Sequence, residues 1–183
     1  MLTVWTVEDG RCHVREGAMS DITAALPDDM REAAAAAAEP AVLRRAVWID
    51  LLSPTPTERN AVQAALGIEP PSREEMQEIE SSSRLYREDD ALFLTANFLY
   101  GVDSGDYSST AITFVLTNTT LVTVRYATPK AFTVFGARAL RHPGALLTSP
   151  DAVMLHLFEQ IVDRLADILE RVGADMDRAS QRT

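Results

Sequence analysis

Apolar residues recur at one helical spacing through the last third of the chain, from residue 150 to residue 181, and no other stretch limits the fold as sharply. They stand at Val153, Met154, Leu157, Phe158, Ile161, Val162, Leu165, Ile168, Leu169, Val172 and Met176. That is the i, i+3, i+4, i+7 pattern of one helix face, held for about seven turns. Ser149 is placed to cap the helix, Pro150 suits its first position, and Asp151 sets negative charge on the positive end of the helix dipole. Gly173 is internal and no stop signal follows before Thr183, as in a helix cut from something longer. The stripe is wider than a strict a/d seam, which predicts packing against the domain's own body.

The same helix carries Glu159, Asp163 and Asp167 four residues apart, so they share one edge, with Glu170 close by. Like charges at that spacing repel by a few tenths of a kcal/mol per pair unless something positive lies over them. One reading is a solvated acidic edge relieved by Arg164 and Arg171. The other is an edge that offers oxygen ligands to a hard divalent cation.

With 183 residues the chain is one domain, or one domain and a protruding helix, long enough to bury a core. A formal charge of −10 argues against nucleic acid or anionic lipid as a partner and is compatible with metal cations. The single cysteine, Cys12, excludes an internal disulfide and a cysteine-based zinc site. No signal peptide is legible, and no window approaches the ~18 consecutive apolar residues of a membrane span. The chain as given is expected to be soluble.

Residues 2–7 read as a strand, Asp9-Gly10 as a tight turn and residues 11–16 as the hairpin partner. Ser20 caps a short helix, and Pro27 opens another over 28–38 that Pro40 should stop. Residues 46–51 form a continuous apolar run, as in a strand buried on both faces. Thr55 or Thr57 caps a helix that closes at Gly67, and Pro70-Pro71-Ser72 starts an acidic helix over 73–81. Strands are expected over 84–87, 91–100, 108–116 and 121–125, then a helix over 129–140 stopped by Pro143-Gly144. This order predicts an α/β fold, a mixed sheet layered by helices.

No phosphate loop, nucleophile elbow or His-Glu-x-x-His occurs. His13, His142 and His156 are scattered and read as structural or surface histidines. Cys12 and Trp48 read as packing residues. Nothing here predicts an enzyme.

Six segments together point to a family. Val47-Trp48-Ile49-Asp50-Leu51 is followed by Pro54-Thr55-Pro56-x-Glu58, then by Glu74-Glu75-Met76-Gln77-Glu78-Ile79-Glu80. Ser83-Arg84-Leu85-Tyr86 and Glu88-Asp89-Asp90-Ala91-Leu92 come next, then the strand pair 110–125 with Pro129 and Phe132. In order and spacing they resemble the CorA-type magnesium and cobalt transporters, closest to the proteobacterial branch, from residue 46 onward.

The resemblance implies a mixed β-sheet sandwiched between helical layers over residues 1–148, with 149–183 the start of a long stalk helix. It implies a pentamer on the cytoplasmic side of the inner membrane, held there by transmembrane helices that lie C-terminal to everything in this chain. The pore-mouth Gly-Met-Asn lies there too, so the fragment itself is not expected to conduct ions. Family members place regulatory divalent-ion sites between subunits. Matched by motif, those sites would take Glu75, with Glu74 beside it, and Glu159, with Asp163 a turn on, as ligands for Mg2+ or Co2+. Both principal positions are Glu where other branches lead one to expect Asp, and the later stalk acids are not in this chain. Function is thus expected to be divalent-cation sensing and gating. The alternatives are a related zinc or divalent-cation transporter, a coiled-coil interaction protein built on residues 150–181, or a stand-alone α/β enzyme.

Overall fold

The computed structural model describes residues 1–17, 39–78, 84–101 and 108–180. The two helices expected between Ser20 and residue 38 lie outside them, as do the end of the acidic helix and most of the loop before residue 108. Among the described residues seven strands form one sheet: β1 (Leu2–Glu8), β2 (Arg11–Gly17), β3 (Trp48–Leu52), β4 (Leu85–Glu88), β5 (Ala91–Tyr100), β6 (Ser108–Leu116) and β7 (Leu121–Arg125). Their order across the sheet is β2-β1-β3-β7-β6-β5-β4. Only β3 and β7 run parallel, with Asp50 opposite Thr123; every other pair is antiparallel. The Asp9-Gly10 turn has both φ angles positive, 51° and 74°, as a tight hairpin between right-twisted strands requires.

Helices cover both faces. On one lie α1 (Pro40–Leu43), α2 (Pro56–Leu66) and α3 (Arg73–Glu78); on the other lie α4 (Lys130–Arg141), α5 (Pro143–Leu146) and α6 (Pro150–Ser180). Alternation along the central strands divides the core. Ile49, Leu51, Val122 and Val124 face Leu43, Val62 and Met76, whereas Trp48 and Leu121 face Phe132, Phe135, Val153 and Leu157. Burying a side chain of this size contributes roughly 1.5–3 kcal/mol. This is the mixed sheet between helical layers that the sequence predicts, followed by the long helix.

Two prolines also begin elements. The helix before Pro143 ends at Arg141, as expected, and the one expected before Pro40 lies outside the described residues; Pro40 and Pro143 are each the first residue of a one-turn helix, α1 and α5. Proline lacks an N–H that the first turn would leave unpaired in any case, and its fixed φ already suits a helix. The capping of α2 is as expected. Thr55 accepts from the Glu58 N–H at 3.2 Å, the Glu58 carboxylate accepts from the Thr55 N–H at 2.8 Å, and Gly67 ends the helix at φ 72°.

The long helix departs further. Val153 and Leu157 are buried in the core, and Phe158 stacks on Phe114 at 4.9 Å. Beyond them Ile168 is covered, but Val162, Leu165, Leu169, Val172 and Met176 are exposed. The apolar stripe therefore packs on the body along its inner residues only, as far as Ile168, because the sheet beneath it ends before the helix does.

Candidate functional site

The four carboxylates singled out by resemblance occupy two opposite layers. Glu74 and Glu75 stand on the exposed side of α3, whose inner residue Met76 packs into the first core layer. Glu159 and Asp163 stand exposed on α6, whose Leu157 packs into the other layer. With the sheet between them, one chain does not bring Glu75 and Glu159 together. Among the described residues no group of three or more His, Cys, Asp or Glu side chains is placed to hold a metal ion.

Each principal acid also has a local task. Glu75 closes a capping box on α3: its Oε2 accepts from the Ser72 N–H at 2.7 Å, and its own N–H donates to Ser72 Oγ at 3.3 Å. Bonds from the Ser72 backbone and then its hydroxyl, with Arg59 nearby, hold the Glu75 carboxyl below its ordinary value. The spacing Ser72-x-x-Glu75 is that of a capping box, a signal the helix start at Pro70-Pro71-Ser72 left unread. On α6, Glu159 Oε2 lies 2.9 Å from His156 Nδ1, one turn back, and Asp167 lies 3.6 Å from Arg164. Arg164 thus neutralises part of the acidic edge along the helix. These are hard oxygen ligands on exposed surfaces, suited in type to Mg2+, and each layer of one chain offers them without a partner from the other.

A polar network lies inside the second layer, beneath α4. Arg125 clasps Asp50 in two-pronged fashion, Nε at 2.9 Å from Oδ1 and Nη2 at 2.7 Å from Oδ2. Thr123 Oγ1 donates to Asp50 Oδ1 at 2.7 Å and accepts from Trp48 Nε1 at 3.0 Å. The guanidinium lies 4.8 Å over the Phe132 ring and donates from Nη1 to the Ala127 carbonyl and the Thr128 hydroxyl. All four side chains are buried. The network explains why an aspartate interrupts the apolar run Val47 to Leu51: it fixes the register of the parallel pair β3 and β7. Nothing in that run alone disclosed Arg125 as its partner.

Among the described residues the structure also shows concavities that were not foreseen. A cavity of about 440 Å3 opens where β5, α4 and α6 meet, walled by Phe98, Pro129, Ile161 and Ile168 with Lys130 and Arg164 among its lining. A smaller one of about 270 Å3 lies between α3 and the ends of β5 and β6, lined in part by Arg73, Arg84, Asn97 and Tyr126. Burial pushes the Tyr126 hydroxyl up, and Arg73 stands 5.5 Å over its ring.

Comparison with known proteins agrees with the fold and with the motifs. The family model described as CorA-like Mg2+ transporter protein matches residues 44–183. The chain is 34% identical over 140 residues to a magnesium transport protein CorA of Haemophilus influenzae, covering 76% of this chain and 44% of that protein. It is 31% identical over 139 residues to the protein of the same name from Escherichia coli, covering the same shares of each. The chain thus spans less than half the length of these relatives, which are named for transport and not for an enzymatic reaction. In fold it is similar to the soluble domain of CorA from Methanocaldococcus jannaschii, with a TM-score of 0.55 at 16% identity over 74% of this chain and 54% of that one. It is also similar to the complete CorA transporter of that organism, with a TM-score of 0.65 at 10% identity over 100% of this chain and 50% of that one.

Proposed function

Because the chain belongs to the family of CorA-like Mg2+ transporters, we propose that it is the cytoplasmic domain of a divalent-cation transport protein and that it senses the cation. In this reading residues 1–148 form the sensing body and 149–183 begin the stalk that leads to the membrane. Several copies, five by resemblance, stand around a pore in the parent protein, and Mg2+ is the cargo, with Co2+ a second one. No helix among the described residues is long and apolar enough to cross a membrane.

The observation that carries the sensing role is the placement of Glu75 and Glu159 on opposite layers, each on an exposed helix. One copy cannot join them, whereas the α3 layer of one copy can face the α6 layer of the next. A cation held there would neutralise acids that otherwise repel, and its loss would let neighbouring copies separate. This is a population shift driven by differential affinity. Mg2+ keeps much of its water, so one or two carboxylates from each side suffice.

The test compares thermal stability in Mg2+ and Na+ at matched ionic strength, for the wild type and for Glu75→Gln with Glu159→Gln. Matching is needed because any salt screens crowded acids. A Mg2+-specific rise that increases with concentration in the wild type and is lost in the variant supports the reading. An equal rise in both proteins removes these residues from the site.

A further inference from the structure

Where β5 and β6 run out beyond α3, the sheet face turns from apolar to polar. Phe93 and its partner Val115 belong to the core beneath α3. One pair further along that face, the buried hydroxyls of Thr95 and Thr113 meet at 2.7 Å. One pair further again, Asn97 is exposed, and its partner Ala111 is too small to fill the space above it. That space is the cavity of about 270 Å3, with Arg73 and Gln77 of α3, Arg84 and Tyr126 also in its lining.

Both arginines are set in place by their neighbours. The Arg84 carbonyl accepts from the Thr95 N–H at 2.8 Å, which extends the β4–β5 ladder by one pair. Residues paired directly across a ladder share a face, so the Arg84 side chain lies on the cavity side with Thr95. Arg73 stands 5.5 Å over the Tyr126 ring.

Charge makes the cavity unusual in this chain. The protein carries a formal charge of −10, and other arginines meet acids: Arg125 meets Asp50 at 2.7 Å and Arg45 meets Glu8 at 2.9 Å. Among the described residues neither Arg73 nor Arg84 forms an ion pair, and no carboxylate lines the cavity. Glu74 and Glu75 are neighbours on α3, but Glu75 is engaged by the Ser72 N–H at 2.7 Å. Two guanidiniums and the amides of Gln77 and Asn97 therefore offer donors from several sides, and no side chain of the lining brings negative charge.

We propose that this cavity binds a small phosphate-class anion, either inorganic phosphate or a compact phosphate monoester. A phosphate group carries about −1.5 to −2 at neutral pH, which matches two arginines, and its oxygens accept from several directions. The guanidinium fork fits it in two-pronged fashion. A nucleotide is too large, since sites for drug-sized ligands run to roughly 300–1,000 Å3. An anion bonded to both arginines ties α3 to the β4–β5 edge of the sheet. The assignment follows from the cavity and does not rest on the cation-sensing reading.

The experiment is isothermal titration calorimetry of the 183-residue chain with sodium phosphate, at constant ionic strength and without divalent cations. Glycerol phosphate and succinate are titrated in parallel, the first to separate an ester from the free ion, the second as a dicarboxylate. The expected result is saturable binding of one phosphate or one glycerol phosphate per chain, with succinate much weaker. Arg84→Gln should weaken binding by about tenfold or more, the worth of one charge-assisted hydrogen bond. Arg141→Gln makes the same change in net charge on an exposed helix end and should bind as the wild type does. Asn97→Asp, at an exposed position, sets a carboxylate in the lining and should abolish binding while leaving the melting temperature in chloride unchanged.

A wild type that shows no saturable binding at millimolar phosphate overturns the proposal. So does succinate bound as tightly as phosphate, or binding that survives both Arg84→Gln and Asn97→Asp. An equal loss in Arg141→Gln overturns it as well, because general charge and not the cavity would then hold the anion.

Discussion

Removing the Asp50 side chain should be among the most damaging single changes outside the purely apolar core. In Asp50→Ala the Arg125 guanidinium, itself buried, loses its two-pronged partner and keeps only the Ala127 carbonyl, the Thr128 hydroxyl and the Phe132 ring. An uncompensated buried charge of this kind costs about 3–5 kcal/mol. Thr123 loses its acceptor as well, which adds on the order of 1 kcal/mol. Against a total stability of roughly 5–15 kcal/mol, the variant is left with a small margin. For a chain of this size the melting temperature should fall by about 10 °C or more. The pair itself is a different matter, since replacing both partners by apolar groups of similar volume removes the desolvation cost along with the attraction. Asp50→Leu with Arg125→Met should therefore recover most of the loss. The assay is urea unfolding followed by tryptophan fluorescence, to which Trp48 reports directly through its bond to Thr123. A loss below about 1 kcal/mol for Asp50→Ala, or a double variant as unstable as the two single losses added together, would refute the argument.

Ser72→Ala should cost about 1 kcal/mol by opening the cap on α3, measured by the same unfolding assay. Glu75→Gln should be less stable than the wild type at pH 7, because glutamine can still accept from the Ser72 N–H but without the carboxylate's charge. The folded carboxyl of Glu75 lies below its unfolded value, so its contribution is present above the unfolded value and is lost as pH falls through the folded one. The stability difference between wild type and Glu75→Gln should accordingly shrink in acid, and a difference that grows there would contradict the cap. Gly67→Ala meets no neighbour within 4 Å but must hold φ near 72°, so a loss of about 1 kcal/mol is expected from backbone strain alone. A calorimetric scan showing no change would mean that the end of α2 relaxes.

The features legible in the sequence are those whose physics is local. Asp9-Gly10 announces its turn because few other residues tolerate two positive φ angles in succession. Thr55, Glu58 and Gly67 announce both ends of α2 because caps are bonds between near neighbours. The period of residues 150–181 announces a helix of the length found. The motifs from Trp48 to Phe132 carry the family, which the match over residues 44–183 bears out.

Tertiary structure decided the rest. Pro143 follows the end of one helix, as the sequence suggests, but that Pro40 and Pro143 each open a further one-turn helix was not legible. Asp50 needed Arg125, 75 residues away, and only the parallel pairing of β3 with β7 brings the two together. Glu75 and Glu159 look like one ligand set along the chain, yet the sheet holds them on opposite faces. The stripe on α6 gives its own width but not how much of it the body covers. That depends on where the sheet ends beneath the helix, a distance in space that no periodicity along the chain encodes.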